Sequence, residues 1–178
     1  MTALKIGDSL QPFVLPGVDG EQHDIVARYG DKAVRVVVFS CNHCPYVRAW
    51  EDRMVQTQAD YADRGVQFVV ISSNDTMRYP ADSFEKMKER ATEKQFNFPY
   101  LYDETQEVAR TYGAERTPEF FVFDTTGTLR YHGTIDDNYE NPDAVQHTYL
   151  RDALDAVLAG KAPAIAETAP VGCTIKWK

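Results

Sequence analysis

The sequence predicts an α/β protein with a mixed central β-sheet flanked by helices. Three observations carry that expectation. Two apolar, β-branched runs, Ala33 to Ser40 and Val66 to Ser72, are separated by a stretch with helical periodicity. Strands separated by helices call for parallel, right-handed crossovers. Two later runs, Phe120 to Asp124 and Leu129 to Gly133, flank Thr125-Thr126-Gly127 closely enough to form an antiparallel hairpin.

In chain order, Lys5 to Tyr29 reads as an extension with turns at Pro12, Pro16-Gly17 and Asp19-Gly20. Asp19-Gly20 suits a hairpin, and Asp24 to Tyr29, before Gly30, suits a helical turn or two. Ala33 to Ser40 has the near-continuous apolar character of a strand buried on both faces. Pro45 to Arg64 places Val47, Trp50, Met54 and Tyr61 at i, i+3, i+7 and i+14, with Gly65 where a helix C-cap belongs. Ser83 to Glu93 aligns Phe84, Met87 and Ala91 on one helical face, and Thr105 to Tyr112 is a shorter helix before Gly113. The last helix carries Leu150, Ala153, Leu154, Val157 and Leu158 on one face and stops at Gly160. There is no repeat, low-complexity tract or linker. One domain over residues 1–178 is expected, with a core at about 6–158 and a tail at 159–178.

Composition narrows the function classes. Of 178 residues, 43% are hydrophobic and 26% charged, as in ordinary globular proteins. Nineteen Lys and Arg against 27 Asp and Glu give a net charge of −8, with no basic block, which argues against nucleic-acid binding. The longest apolar runs, Val36 to Phe39 and Phe68 to Ile71, fall far short of the roughly 20 residues of a membrane span. No apolar region follows a basic start at the N-terminus, so a cytoplasmic location is expected, where thiols are kept reduced.

Three cysteines are the main chemical lead. Cys41-Asn42-His43-Cys44-Pro45 falls where the first buried strand ends and the long helix begins. Two thiols three apart in a first helical turn can close into a disulfide with little rearrangement. Unpaired N–H groups and the positive end of the helix dipole stabilise a thiolate there. Pro45 suits the first turn because its missing N–H would have had no intrahelical partner. An imidazole at His43 would further favour the thiolate and make the pair more oxidising than a strongly reducing thioredoxin. The competing reading is a soft-metal module using Cys41, Cys44 and His43. Zinc needs about four ligands, and no second C-x-x-C or H-x-x-x-H is present, so no metal and no cofactor is expected.

Strand, C-x-x-C, helix and a later Thr117-Pro118 before a strand make the chain resemble the thioredoxin superfamily. Its N-terminal extension with Ile6-Gly7-Asp8 and Phe13-Val14-Leu15-Pro16 is similar to the alkyl hydroperoxide reductase/thiol-specific antioxidant branch. So are Phe98-Pro99-Tyr100-Leu101-Tyr102-Asp103, Tyr112-Gly113-Ala114 and Phe123-Asp124-Thr125-Thr126-Gly127. Within that branch it resembles the peroxiredoxin-like thioredoxin-fold proteins over roughly Ile6 to Leu158. The resemblance implies a thioredoxin-like fold in which Thr117 and a cis Pro118 face the cysteines and hold substrate backbone. It also marks departures. Aligning Cys44-Pro45 with the peroxidase Cys-Pro puts Cys41 at the hydroxyl position and Val37 at a proline. Pro118 falls near the place of the peroxidase arginine. Against thioredoxin, Ser40 replaces a tryptophan and Arg35 stands where a buried acid would be.

The expected function is a thiol–disulfide oxidoreductase. Cys41, taken as the more exposed, attacks a substrate disulfide; Cys44 resolves the mixed disulfide; Asn42 and His43 tune the thiolate. The alternative is a peroxide-reducing antioxidant with Cys44 as the peroxidatic residue and Cys41 or Cys173 as resolver. Cys173, in the tail Gly172-Cys173-Thr174-Ile175-Lys176-Trp177, is open to two readings: a resolving thiol, or a small residue helping Trp177 to pack. Expected partners are a disulfide-containing or peroxide substrate and a thiol reductant, with no nucleic acid or membrane, in a monomer or homodimer. His23, His132 and His147 read as structural or solvated. Asp136-Asp137-Asn138 and Glu140 read as a solvated acidic loop whose spacing fits no calcium site. Tyr100, Tyr102, Tyr112, Phe120, Phe121 and Phe123 read as core.

Overall fold

The computed structural model describes residues 3–178; the first two residues of the expected domain lie outside it. A short hairpin, β1 (Val14–Pro16) and β2 (Gln22–Asp24), turns at Asp19-Gly20 and leads into α1 (Ile25–Tyr29). Asp24 caps α1 by accepting from the Val26 and Ala27 N–H groups. The chain continues as β3 (Val34–Ser40), α2 (Pro45–Tyr61), β4 (Val66–Ser72), α3 (Phe84–Glu93), β5 (Tyr100–Tyr102) and α4 (Glu107–Tyr112). It ends as β6 (Arg116–Thr117), β7 (Glu119–Phe123), β8 (Leu129–Gly133), α5 (Tyr149–Leu158) and β9 (Cys173–Thr174).

Five strands form the central sheet in the order β5-β4-β3-β7-β8. β5, β4 and β3 run parallel, while β7 and β8 are antiparallel additions. β3 lies at the centre, paired on one side Val34↔Val66 to Ser40↔Ser72 and on the other Arg35↔Phe123 to Phe39↔Glu119. Because side chains alternate along a strand, β3 supplies both cores. Val34, Val36 and Val38 pack with Trp50 and Met54 of α2, Met87 of α3, and Leu150 and Leu154 of α5. Val37 and Phe39 pack with Ile25, Phe13, Ala109 and Tyr112 on the opposite face. Every residue of β3 is buried, so each fully buried Val or Phe contributes about 1.5–3 kcal/mol of apolar transfer.

The long helix ends in a 3₁₀ turn at Ala62–Arg64, and Gly65 (φ +81°) takes the left-handed conformation that starts β4 beside β3. Tyr100, Tyr112, Phe120, Phe121 and Phe123 are all in the core; Tyr102 is only partly buried.

Three short strands carry no usable sequence pattern. β5 is three residues after Pro99, and β6 and β9 are two residues each. β6 and β9 pair antiparallel, Arg116↔Thr174 and Thr117↔Cys173. The tail is therefore part of the packed body. Ile175 is 3% exposed, and its N–H donates to the Glu115 carbonyl at 2.9 Å. Farther back, the Thr168 N–H donates to the His132 carbonyl, and the His132 N–H to that of Ala166, each at 3.0 Å.

Asp136 departs from the expected solvated loop. It is buried and accepts from the Trp50 indole N–H at 3.0 Å and from Arg53 at 2.7 Å, which ties the β8–α5 connection to α2. His132 is structural: buried, stacked on Phe121, with Nε2 2.8 Å from the Glu119 carboxylate. His23 is likewise held, between Tyr29 and Asp19.

Candidate active site

β3 ends at Ser40 and α2 begins at Pro45, so Cys41 to Cys44 form the turn between the central strand and the helix. Cys44 is the helix N-cap with extended backbone (φ −65°, ψ 127°), and its carbonyl accepts the first helical bond from Arg48 N–H at 2.9 Å. That position turns the Cys44 sulfur toward the Val47 N–H, one of the donors a helix start leaves unpaired.

Opposite this turn lies the strand-to-strand corner at Thr117-Pro118, whose peptide bond is cis. Thr117 touches all three cysteines. Its Oγ1 is 3.7 Å from the Cys41 Sγ, and its carbonyl is 3.4 Å from the Cys44 Sγ. Its backbone is the β6 partner of Cys173. The Cys173 Sγ lies 2.7 Å from the Cys44 Sγ, while a covalent S–S bond is ~2.05 Å. All three cysteines are free thiols. The edge that the resemblance reserved for substrate backbone is thus occupied by the protein's own C-terminal strand.

The electrostatics single out Cys44. Its pKa is lowered from 9.0 to about 4, first by a hydrogen bond from the Cys41 thiol and further by the Cys173 thiol and the Val47 N–H. Burial and the facing Thr117 carbonyl oppose ionisation but are outweighed. Cys41 is pushed well above the ordinary thiol value, because its proton is held by Cys44, because it is buried, and because Asp82 is near. Cys173 is pushed up to about 11 by burial and by the same hydrogen bond to Cys44. Cys41, expected to be the more exposed and attacking thiol, is buried as Cys44 is, at 1% against 0% exposure, and of the two it is Cys44 whose pKa is lowered.

Asn42 and His43 do not reach the thiolate in the expected way. His43 Nδ1 faces the Asp82 carboxylate at 2.5 Å, and its ring stacks on Tyr79. Asp82, completely buried, also accepts from the Asn42 N–H at 2.8 Å and the Asn74 side-chain amide at 2.9 Å. The Asn42 side chain is fixed at both ends. Its Nδ2 donates to the Ala81 carbonyl at 3.0 Å, and its Oδ1 accepts from the Tyr100 hydroxyl at 2.7 Å. Arg48 Nε closes the loop from the helix side by donating to the Asn42 carbonyl at 3.0 Å. These residues hold the turn rigid rather than touching sulfur.

The metal reading changes its ligand set. Cys41 Sγ, His43 Nδ1 and an Asp82 carboxylate oxygen lie within 4.8 Å of one another, with Asp82 in the place of the expected Cys44. Two of the Asp82 bonds are already taken by Asn42 and Asn74, so the group is closed by internal hydrogen bonding.

Asp82, Asn74 and Tyr100 are site-building residues that the sequence does not signal. Asp82 sits in Tyr79-Pro80-Ala81-Asp82-Ser83, which reads as an ordinary helix entry, and it reaches the cysteine turn only through the fold.

Comparison with known proteins agrees with this architecture. The model of the AhpC/TSA family matches residues 6–132. An uncharacterized conserved protein from Geobacillus kaustophilus is 42% identical, covering 98% of this chain and 93% of that one with a TM-score of 0.92. A hypothetical protein from Sinorhizobium meliloti 1021 is 35% identical over 99% of this chain and 97% of its own, with a TM-score of 0.93. A thiol:disulfide interchange protein of the thioredoxin family from Chlorobium tepidum TLS is 22% identical. It covers 73% of this chain and 87% of that chain with a TM-score of 0.59, a likeness of fold. No curated protein matches the sequence.

Proposed function

The chain belongs to the AhpC/TSA family, and from that premise we propose that it is a thiol–disulfide oxidoreductase whose attacking group is the Cys44 thiolate. The observation that carries this reading is the convergence of donors on one sulfur. Two thiols and a helix-start N–H are hydrogen-bond partners that lower the Cys44 pKa, and each of those thiols is also a sulfur with which it can form a bond. The reaction needs no group beyond the sulfurs. The Cys44 thiolate attacks one sulfur of a substrate disulfide and expels the other as thiolate. A neighbouring cysteine then attacks Cys44, releases the reduced substrate and leaves an internal disulfide, which a thiol reductant reopens. Asn42, His43 and Asp82 keep the Cys41-to-Cys44 turn in the geometry this requires, and Thr117-Pro118 forms the facing wall.

A second reading is favoured by a specific observation. With Cys41 1% exposed and Cys44 fully buried, a small hydroperoxide reaches these thiols more readily than a loop of a folded protein does. In that case Cys44 becomes a sulfenic acid and a neighbouring thiol condenses with it, releasing water. Thr117 Oγ1, 3.7 Å from Cys41, is the hydroxyl placed against the pair.

The test is side-by-side turnover of a low-molecular-weight disulfide and hydrogen peroxide by wild type, Cys41→Ser, Cys44→Ser and Cys173→Ser. Cys44→Ser is expected to lose several orders of magnitude of turnover with either oxidant, as loss of an attacking nucleophile does. Faster disulfide than peroxide turnover supports the first reading, and the reverse supports the second. Wild-type turnover by Cys44→Ser would remove both.

A further inference from the structure

The proposed chemistry assigns one nucleophile and leaves two candidate partners, and the arrangement of the C-terminal strand orders them. We propose that the three cysteines form a relay in which Cys44 bonds first to Cys173 and then to Cys41, and that β9 is covalently locked onto the β6 edge only in the first of these two disulfides. The proposal rests on Cys44 being the attacking thiolate, and it names both the order of disulfides and the event they control.

Three observations carry it. The first is proximity: Cys173 is the thiol already 2.7 Å from Cys44. The second is how firmly that closeness is built. Thr117↔Cys173 is a strand pair, so the backbone of β6 delivers the sulfur. The following residues are tied to two other segments, Asn74-Asp75 and Gln106. The Lys176 carbonyl accepts from the Asp75 N–H at 2.8 Å and from Gln106 Nε2 at 2.9 Å, the Lys176 N–H donates to Asn74 Oδ1 at 2.9 Å, and the Lys178 N–H donates to Gln106 Oε1 at 3.1 Å. The third is competition for one place. The same β6 edge, next to Thr117-Pro118, is where an extended partner would add a strand, and β9 fills it. Cys41 touches Cys44 from within the C-x-x-C turn and needs no tail to do so.

The steps balance. The Cys44 thiolate attacks a disulfide R–S–S–R, giving Cys44–S–S–R and one RS⁻. The Cys173 thiol loses its proton and attacks the Cys44 sulfur, forming Cys44–S–S–Cys173 and expelling the second RS⁻. The Cys41 thiol then loses its proton and attacks the same Cys44 sulfur. Cys41–S–S–Cys44 forms, and Cys173 leaves as a thiolate that is reprotonated from water. The last step moves a disulfide without net oxidation. Its consequence is mechanical: the Cys44–Cys173 bond locks β9 over the β6 edge against a strand-adding partner, and once the bond has moved β9 is again held by hydrogen bonds alone, as in the reduced structure.

The experiment is a time course of the reduced, full-length protein with one equivalent of oxidised glutathione, acid-quenched, alkylated and mapped by mass spectrometry. The Cys44–Cys173 crosslink is expected first, decaying with the rate constant at which Cys41–Cys44 appears. Cys41→Ser is expected to stop at Cys44–Cys173. Cys173→Ser is expected to form Cys41–Cys44 at least about tenfold more slowly than wild type forms its first disulfide. Hydrogen exchange should show the amides of Cys173 to Lys176 more protected in the Cys44–Cys173 form, trapped with Cys41→Ser, than in the reduced or Cys41–Cys44 forms; equal protection in all three overturns the lock. Direct formation of Cys41–Cys44 with Cys173 free throughout overturns the relay and leaves the oxidoreductase reading standing. Three thiols unchanged after oxidant overturns that reading as well.

Discussion

At the scale of single residues, Cys44 is defined by what points at it. A thiol alone in this turn would have the helix start to favour ionisation and burial to oppose it. Here the S–H groups of Cys41 and Cys173 decide the balance, and the pKa falls to about 4. The consequence for stability has a definite sign. The folded value lies below the ordinary 9.0, so Cys44 ionisation stabilises the reduced fold fully above about 9. That contribution shrinks as pH falls through the window and is gone below about 4. The urea midpoint of reduced wild type is therefore expected to fall, relative to Cys44→Ser, as pH is lowered from 9 to 4. Parallel curves across that window would contradict the assignment. The residue pair Cys41 and Cys44 was legible from spacing alone, but which of the two ionises was not. Spacing places both at a helix start, whereas one of the donors that lower the Cys44 pKa, Cys173, lies 129 positions from Cys44 along the chain.

At the scale of elements, the pairing of β9 with β6 brings the tail to the site. A two-residue strand has no periodicity to read, and the sequence separates the partners by the whole of β7, β8 and α5. Gly172 shows how close the approach is: a Cβ there would overlap the Thr117 carbonyl. Gly172→Ala is therefore expected to lift β9 from β6. It should slow formation of the Cys44–Cys173 crosslink by about tenfold or more in quenched mapping, equivalent to at least ~1.4 kcal/mol. An unchanged crosslinking rate would show that strand pairing does not deliver Cys173. The long elements behave differently. α2 carries Val47, Trp50, Met54 and Tyr61 inward as its periodicity requires, and Pro45 and Gly65 mark the start of the helix and the turn that ends it.

At the scale of the whole molecule, a five-stranded mixed sheet with apolar layers on both faces provides the rigid frame on which the cysteine turn and Thr117 face each other. Phe121, fully buried at the β3–β7 pair and stacked with His132, is a test of that frame. Phe121→Ala is expected to cost about 3–5 kcal/mol in urea unfolding with an unchanged m-value; a loss below ~1 kcal/mol would mean the second face contributes little. The amino-acid sequence by itself determined the strand–helix alternation, the late hairpin, the two-sided burial of β3 and the position of the C-x-x-C turn at a helix start. Each of these follows from local pattern, such as hydrophobic period, turn residues or a proline without an N–H. Only the tertiary structure decided that the Cys44 pKa is lowered while that of Cys41 is raised, that His43 faces Asp82 and that Cys173 shares the site. These depend on contacts between segments far apart in the chain, where a buried charge or thiol takes its properties from whatever the fold places within a few ångströms of it.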